Sequence, residues 1–316
     1  METTGRLPAG RPAHIVIIGP GALGTFFAAR LAQAGHSVSV IARGSRLAAI
    51  RRDGLQLESN GLITAVPVRA VDDPALISTP DLAIIATKTT GLAGAIAALV
   101  PHATPALGVL TVQNGVEAPA MVAAALPRVQ VLAGRVHGFF EMADDLVRHV
   151  GVPPSLAFGQ INPAPAPAPA ADLLATCLTG AGIAFTRPAD IAAALWEKLM
   201  LVSSIGGVGA ALGLPIGAIR DDPAHAAMLR AAIAEVAAVA AAHGAALPPD
   251  CVATTLAFVG TFPAEATSSL HRDLVARRPS EFDHLTGAIP RLAARHGVPV
   301  PVHTAIIARL AGQGLV

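Results

Sequence analysis

The pattern that most constrains the fold is a strand that runs into a glycine-rich turn and then into a helix. The run HIVIIG (His14–Gly19) is continuously apolar and rich in β-branched residues, which is typical of a strand buried on both faces. GPGALG (Gly19–Gly24) follows, then a predicted helix over Thr25–Ala34 and a second predicted strand over Ser37–Ala42. A G-x-G-x-x-G in this context favours a dinucleotide-binding βαβ unit.

Each glycine of this motif has a physical task in such a unit. Gly19 permits the tight turn, Gly21 lets the backbone approach a pyrophosphate, and Gly24 lets helix and sheet pack closely. The N-terminus of the helix that follows offers its N–H groups to the anion, and we count Ala22 and Leu23 of the turn among the predicted cofactor-binding residues. The alternative is a glycine-rich turn that binds no ligand.

Further strand patterns repeat along the first half of the chain. DLAIIAT (Asp81–Thr87), GVLTVQ (Gly108–Gln113) and VQVLAG (Val129–Gly134) are apolar runs, and helical patterns such as Leu92–Leu99 lie between some of them. This alternation predicts an α/β fold with an N-terminal, Rossmann-type doubly wound parallel sheet. Residues near 136–162 resemble antiparallel additions to that sheet.

The second half of the chain is predicted to be an all-helical C-terminal domain. We expect a disordered tail over residues 1–13, a dinucleotide-binding Rossmann domain over 14–188 and a helical domain over 189–316. The proline-rich segment Ile161–Ala171 is predicted to be an extended loop within the first domain. The predicted C-terminal helices are Ile191–Ser204, Pro223–His243, Cys251–Gly260, Glu281–His296 and Thr304–Gly312.

Composition excludes several classes of function. The formal net charge is +1 and aromatic residues make up 3% of the chain, so neither a basic surface nor a stacking platform for nucleic acid is present. Mean hydropathy is high at +0.58, but charges, prolines and glycines interrupt every run long enough to span a membrane. Two cysteines, Cys177 and Cys251, fit a reducing cytoplasm. The eleven histidines form no metal-binding motif.

The end of the second predicted strand indicates which dinucleotide is bound. An NAD site places Asp or Glu about 20 residues after the glycines, but this chain has Arg43 there, with Arg46 close behind. Guanidinium groups suit a 2′-phosphate. The sequence therefore favours NADPH, and the alternative is that both arginines are solvated loop cations.

Nearly all of the positively charged residues of the chain are arginines, and Lys88 and Lys198 are its only lysines. A lysine can be tuned by burial and can donate a proton, whereas an arginine keeps its proton. Lys88 follows one predicted strand and Asn114 follows the next, where ligands of open α/β sheets bind. The alternatives are two lysines without a function and an Asn114-Gly115 turn without a ligand.

Six features follow one another along the chain: GPGALG, the strand end at Arg43, IATK, QNG, W-x-K and SSLHRDL…RPSEFDHLTG. In this order they resemble the ketopantoate reductase (2-dehydropantoate 2-reductase) family. The resemblance implies a Rossmann domain and a helical domain with the active site between them. It also implies that Lys198 is the catalytic lysine and Glu281 the active-site glutamate. Ser269 then binds substrate, while Asn114 and Lys88 lie on the cofactor side, with Asn114 within reach of the substrate.

Two positions depart from the family pattern. Family members commonly carry Asn four and eight residues after the catalytic lysine, where this chain has Val202 and Gly206.

The leading expectation is NADPH-dependent reduction of a small 2-oxo acid, ketopantoate to pantoate in pantothenate biosynthesis. A related reductase acting on another carbonyl or imine stays open, as do a non-catalytic NADP(H)-binding protein and a homodimer. Since Pro279-Ser280 could cap a helix, Glu281 could also serve only the helix dipole.

Overall fold

The computed structural model describes residues 12–59, 61–161 and 169–316, and its chain divides into two compact units. The first unit runs through Thr87 and continues over Gly91–Val112 and Pro119–Arg187. The second comprises Lys88–Thr90, Gln113–Ala118 and Pro188–Val316. The two short segments of the second unit had been predicted within the first domain, and the functional division at residues 188 and 189 stays a prediction.

The first unit is built on one mixed sheet. The strands of the described residues are β1 (His14–Ile18), β2 (Ser37–Ile41), β3 (Leu55–Ser59), β4 (Leu62–Val66), β5 (Arg69–Val71), β6 (Leu82–Ile85), β7 (Gly108–Thr111), β8 (Gln130–Ala143), β9 (Leu146–Gln160) and β10 (Ala184–Thr186). Their order in the sheet is β4-β3-β9-β8-β7-β6-β1-β2-β5, and β10 also pairs with β9.

The centre of this sheet is parallel, as the apolar runs predict. β1 pairs in parallel with β2 on one side and β6 on the other, and β7 continues the parallel order to β8. Every residue of β6 and β7 is buried, which explains why these strands read as unbroken apolar runs. The antiparallel addition predicted near residues 136–162 is confirmed, since β8 and β9 pair antiparallel.

In the part of the chain that the structure describes, the helices that accompany the sheet are α1 (Ala22–Gln33), α2 (Gly44–Asp53), α3 (Leu92–Leu99), α4 (Ala118–Ala125) and α5 (Pro169–Gly180). Short 3₁₀ turns cover Pro74–Leu76, Thr89–Gly91 and Val100–His102. The core of the first unit includes Ile15, Ile17, Phe27 and Phe158, each at most 1% exposed. This packing anchors β1 and α1, between which the glycine motif lies.

Two sequence predictions fall largely outside the described residues. Of the expected tail over residues 1–13, the structure describes only Pro12 and Ala13, and Ala13 is buried with its carbonyl accepting a hydrogen bond from Ser37 N at 3.0 Å. Of the proline-rich segment 161–171, residues 162–168 lie outside the described part, and Pro169 begins α5.

The second unit is helical in its long C-terminal segment. Its helices are α6 (Ile191–Leu212), α7 (Ile216–Asp221), α8 (Pro223–Ala242), α9 (Cys251–Gly260), α10 (Ser269–Val275), α11 (Ala288–Ala294) and α12 (Pro301–Gly312), with a 3₁₀ turn over Phe282–His284. Asp190 caps α6 by accepting a hydrogen bond from Ala193 N at 3.0 Å, and Gly213 ends the helix in the left-handed conformation. Trp196, Leu199 and Val236 lie in the core of this unit.

The predicted helix over Glu281–His296 is wrong. The chain forms the 3₁₀ turn Phe282–His284, leaves helical geometry at Leu285 and begins α11 only at Ala288. Gly287 packs against Phe282 so closely that an added Cβ would lie 2.9 Å from the phenyl Cε1, and Gly287 N donates to the Phe282 carbonyl at 2.9 Å. This local turn replaces the first half of the expected helix.

Two helices of the described residues, α6 and α8, are long and apolar enough to cross a membrane by length and composition. In the most apolar window of α6, 67% of the residues are buried inside the protein, against 33% for α8. α6 carries Glu197 and Lys198 near its middle. A mostly buried core helix of a soluble protein shows the same pattern, so α6 is weak evidence for a membrane span.

Candidate active site

The glycine motif forms a tight turn between β1 and α1. Gly19 has φ +88°, and an added Cβ there would lie 2.6 Å from the Thr87 side chain and 2.7 Å from the Thr87 backbone nitrogen. A Cβ on Gly24 would lie 2.3 Å from the Gly19 carbonyl oxygen. Both positions therefore require glycine, one for its positive φ and both for close packing.

Gly21 differs from the other two glycines because an added Cβ would meet no atom within 4 Å. The space in front of its backbone is open, which is the cradle that a pyrophosphate needs. Gly21 is also the N-cap of α1 and offers no side chain to the helix terminus. The first turn of a helix leaves its N–H groups without intrahelical acceptors, so Ala22 and Leu23 can donate to an anion. These residues fit the phosphates of a dinucleotide.

The structure separates the two arginines after β2. Arg43, the exposed N-cap of α2, has a guanidinium that forms no hydrogen bond or ion pair with the described residues. Arg46 donates to the Pro20 carbonyl at 3.0 Å, to Thr25 Oγ1 at 2.7 Å and to Asp145 Oδ1 at 2.7 Å. Arg46 thus holds the glycine turn in place, and Arg43 is the arginine left for a 2′-phosphate.

Lys88 is held within the second unit by an ion pair. Its Nζ lies 2.7 Å from Asp273 Oδ2 and donates to the Pro279 carbonyl at 3.2 Å. Asp273 also accepts from Arg278 Nε at 3.1 Å, so its carboxylate is shared between two cations. The lysine remains half-exposed, with 49% of its side chain accessible. Its position is therefore fixed while its ammonium can still meet a ligand.

Glu281 contacts the residue next to Lys88. Its Oε1 accepts from Thr89 N at 2.8 Å and from Thr89 Oγ1 at 2.7 Å, and its Oε2 has no hydrogen bond with the described residues. Phe282 N donates to Ser280 Oγ at 3.4 Å, but this hydrogen bond lies at the start of the short 3₁₀ turn and not at the start of an α-helix. Glu281 therefore anchors a distant loop, and the alternative that it serves a long helix's dipole is wrong.

Asn114 lies in the segment Gln113–Ala118, where the chain bends after β7. Gly115 has φ +103°, and an added Cβ would lie 2.9 Å from the His284 carbonyl oxygen. Glu117, in the same segment, pairs with Arg291 at 2.8 Å. Glycine at 115 and the Glu117 ion pair hold the segment of the half-buried Asn114 against the C-terminal part of its own unit.

Lys198 and Ser269 lie on two helices that pack together, α6 and α10. Lys198 is half-exposed, near the middle of α6, between the buried side chains of Trp196 and Leu199. Ser269 is exposed at the first residue of α10, whereas its neighbour Ser268 caps that helix by accepting from His271 N at 3.0 Å. Burial and then the Arg272 charge lower the pKa of His271 below 6.5, so its imidazole is neutral near pH 7.

The second unit thus collects five predicted site residues: Lys88, Asn114, Lys198, Ser269 and Glu281. The first unit holds the predicted cofactor residues Gly19, Gly21, Ala22, Leu23, Gly24 and Arg43. The roles assigned to all of these residues stay predictions.

Sequence reasoning missed Thr89, Asp273, Glu117 and the structural role of Arg46. Thr89 and Asp273 lie within segments that the sequence had singled out, IATKTTG and SSLHRDL. Thr89 is bound by Glu281, 192 positions away, and Asp273 pairs with Lys88, 185 positions away. Local patterns carry no signal for such contacts.

A groove of about 580 Å³ lies away from these residues, against α7, α8 and α9. Its walls are largely alanine and leucine, together with Arg220 and Arg230. Arg220 already donates to the carbonyls of Val259, Gly260 and Phe262. The groove offers no group for acid–base chemistry, so we do not place the active site there.

Comparison with known proteins finds the same family in both units. Residues 15–163 match the family model described as "Ketopantoate reductase PanE/ApbA", and residues 190–313 match "Ketopantoate reductase PanE/ApbA C terminal". A 2-dehydropantoate 2-reductase of Mycobacterium tuberculosis (strain CDC 1551 / Oshkosh) is 32% identical over 300 residues, which cover 94% of this chain and 96% of the relative.

Solved structures give the same result. A PanE/ApbA family ketopantoate reductase from Ralstonia eutropha JMP134 is 32% identical and has a TM-score of 0.84, covering 95% of this chain and 99% of the other. A D-mandelate dehydrogenase in a ternary structure with NADH and anilino(oxo)acetate has a TM-score of 0.85 with 22% identity, covering 96% and 99%. At that identity the second likeness concerns the fold alone.

Proposed function

Because the chain belongs to the ketopantoate reductase family, an oxidoreductase family, we propose that it reduces a 2-oxo acid to the 2-hydroxy acid, with ketopantoate as the first substrate to test. Ketopantoate reductases use NADPH. The observation that carries the proposal for this chain is the open cradle at Gly21, together with an Arg43 guanidinium that has no protein partner among the described residues. This pair supplies room for a pyrophosphate and a cation for a 2′-phosphate.

When bound, NADPH supplies the hydride that reaches the carbonyl carbon of the substrate. Negative charge then develops on the carbonyl oxygen, and a proton donor placed there lowers the barrier. Lys198 donates that proton from its ammonium. The sum is 2-oxo acid + NADPH + H⁺ → 2-hydroxy acid + NADP⁺, with Lys198 regaining its proton from solvent. An arginine would supply charge but is a very poor acid.

Glu281 has the role of orienting groups at the reacting centre. Thr89 fixes its Oε1 with two hydrogen bonds, and its Oε2 is left for the Lys198 ammonium or for the substrate. A carboxylate beside an ammonium favours its charged form, which is the form that donates. Ser269 binds the substrate, Asn114 serves both the substrate and the cofactor, and Lys88, held by Asp273, binds the cofactor.

A second candidate function is reduction of a different carbonyl or an imine by the same groups. The observation in its favour is the pair Val202 and Gly206, which offer no side-chain hydrogen bonds near Lys198. Hydride transfer and proton donation need neither residue, so only the identity of the substrate would change.

The test is to follow NADPH oxidation by the purified full chain against a panel of 2-oxo acids that includes ketopantoate, together with cyclic and open-chain imines. We expect turnover with at least one 2-oxo acid. NADPH binding without turnover of any 2-oxo acid or imine would contradict the proposal and support the non-catalytic alternative. Turnover of imines alone would support the second candidate.

We further infer that the protein works in the cytoplasm on a small-molecule substrate. In this proposal residues 14–188 bind the cofactor and residues 189–316 carry catalysis. The enzyme is proposed to act as a homodimer. The supporting observations are the free thiols of Cys177 and Cys251 and the largely buried α6. Light scattering of the purified chain measures the oligomeric state.

A further inference from the structure

The face of α6 that carries Lys198 is apolar on the C-terminal side of the lysine. Leu201, Val202 and Ile205 follow it at spacings of three, four and seven residues, so all three lie within about 60° of Lys198 around the helix axis. All three are half-exposed, while the residues between and beyond them on the other faces are buried. The accessible surface next to the lysine is therefore formed by aliphatic side chains.

Position 206, one turn further, is closed by packing. An added Cβ on Gly206 would lie 2.9 Å from Leu270 Cδ2, 3.1 Å from Leu270 Cβ and 3.3 Å from Ser268 Oγ. α10 thus lies directly against α6 at this glycine. No side chain can project from position 206 unless Leu270 moves, and Leu270 is itself an apolar residue with 3% exposure.

The nearest hydroxyls on α6 cannot replace a polar group on this face. Ser203 and Ser204 are both 0% exposed and lie about 100° and 200° around the helix from Val202. The Ser203 carbonyl accepts from Thr286 Oγ1 at 2.8 Å, which places that side of the helix against the protein interior. Their hydroxyls are therefore out of reach of a ligand on the Lys198 face.

We propose that the stripe Leu201, Val202 and Ile205 contacts the carbon skeleton of the substrate, and that the enzyme does not recognise the hydroxyl of ketopantoate. The proposal rests on the proposed function, in which the carbonyl oxygen of the substrate meets Lys198, and it places the side chain of that substrate along the half-exposed stripe of the same helix face. The preferred substrates are then 2-oxo acids with a branched aliphatic side chain that has no hydrogen-bonding group.

General energetics gives the size of the effect. A site built to hydrogen-bond a substrate hydroxyl rejects the analogue lacking it by about 10⁴-fold or more, whereas an apolar pocket rejects an added hydroxyl by at most about 10²-fold. Trimethylpyruvate is ketopantoate without its hydroxyl. We therefore expect kcat/KM for trimethylpyruvate to be at least equal to that for ketopantoate, and at most about 100-fold higher.

The experiment measures kcat/KM of the wild-type full chain for both acids with saturating NADPH. Calorimetry of pantoate and 2-hydroxy-3,3-dimethylbutanoate with the NADP⁺-bound enzyme gives a readout independent of turnover. Preference for the acid without the hydroxyl, or no preference, supports the proposal. A preference for ketopantoate of about tenfold or more overturns it while leaving the proposed function intact. Turnover of neither acid also overturns it, and the proposed function is then decided by the other 2-oxo acids of the panel.

A variant locates the effect on the stripe. Val202→Asn places an amide next to Lys198, and we expect it to raise the ratio of kcat/KM for ketopantoate over trimethylpyruvate by about tenfold, the worth of one hydrogen bond. Ala192→Asn, at an exposed position on the same helix, is the matched control and should leave the ratio unchanged. An unchanged ratio in a folded Val202→Asn protein would contradict the placement of the substrate side chain on the stripe. If this variant does not fold, the ratio of kcat/KM measured for the wild type still tests the proposal.

Discussion

The carboxylate oxygen Oε1 of Glu281 accepts two hydrogen bonds from Thr89, at 2.8 Å from the backbone nitrogen and 2.7 Å from the hydroxyl. The two residues are 192 positions apart. Thr89 directly follows Lys88, whose ammonium pairs with Asp273. The Lys88–Thr90 segment is therefore held by two carboxylates, one for each of its first two residues, and its geometry depends on both.

Removing the Thr89 hydroxyl should weaken this attachment. We expect Thr89→Val to lower the free energy of unfolding by about 1.5–3 kcal/mol, the usual worth of a hydrogen bond to a charged group, and to lower kcat because Glu281 loses one of its two fixed contacts. Chemical denaturation and steady-state kinetics measure both quantities. Thr90→Val, at the exposed neighbouring position, should match wild type. Equal behaviour of the two variants would show that the hydroxyl bond contributes nothing.

Selection of NADPH over NADH should depend on Arg43. Arg43→Ala removes the guanidinium for the 2′-phosphate, so the Kd for NADPH should rise roughly 10- to 100-fold, from about 1.5–3 kcal/mol for a charge-assisted contact. The Kd for NADH should change little. Arg52→Ala, which removes an exposed arginine of the same helix α2, is the control. An unchanged NADPH/NADH ratio in Arg43→Ala would remove this residue from the site.

Arg46 gives a contrasting variant in the same binding assay. Since its side chain holds Pro20 and Thr25, Arg46→Ala should weaken NADPH and NADH alike.

Substitution of Gly21 should weaken cofactor binding without changing the stability of the fold. Gly21 has φ −71°, and a Cβ there meets no protein atom, so Gly21→Ala should unfold at the wild-type midpoint. The same methyl group projects into the space for the pyrophosphate, and NADPH and NADH should both bind at least about tenfold more weakly, or 1.4 kcal/mol. Gly24→Ala should lose stability because its Cβ would overlap the Gly19 carbonyl. Wild-type cofactor affinity in Gly21→Ala would exclude the turn as the binding cradle.

The acid stability of the second unit should depend on Glu235. Burial raises the pKa of this carboxyl, but hydrogen bonds from the His303 side chain and from the backbone nitrogens of His303 and Val302 outweigh burial and bring the pKa below its ordinary value of 4.5. A carboxyl with a lowered pKa stabilises the fold above its unfolded-state pKa, and this contribution is lost as pH falls from about 4.5 through the folded-state pKa.

Glu235→Gln should therefore be less stable than wild type at pH 7, and the gap should narrow as the pH falls below about 4.5. Urea denaturation across this range measures it, and Glu265→Gln, at an exposed glutamate, is the control. A gap that stays constant with pH would show that the ionised carboxylate is not the stabilising form.

The fold could be predicted from sequence wherever local pattern and burial agree. The runs that became β1, β6 and β7 are buried on both faces, and that is the condition under which a strand reads as unbroken apolar sequence. The glycine motif could be located because its turn is local: Gly19 has φ +88°, and Gly24, five residues later, packs on the Gly19 carbonyl.

The prediction failed where distant residues decide the local structure. Glu281 would begin a helix by its own pattern, but its carboxylate is bound by Thr89, 192 positions earlier in the chain. Arg46 resembled a second phosphate ligand, yet Asp145, 99 positions later, and Pro20 use its guanidinium. Spacing along the chain carries no information on such pairings.

Lys198 is the most direct test of the proposed chemistry. If its ammonium donates the proton to the carbonyl oxygen, Lys198→Ala should lower kcat at least about 10²-fold, within the range of general acid catalysis, while NADPH affinity, measured separately, changes little. Ala192→Asn, at an exposed position of the same helix, controls for effects on α6.

The decisive measurement is the steady-state kcat of Lys198→Arg beside wild type and Lys198→Ala on the best substrate found. Arginine keeps the positive charge but is a very poor acid, so we expect it to restore only a small part of the lost turnover. Near-wild-type turnover in Lys198→Arg would contradict proton donation by this residue and leave it a purely electrostatic role.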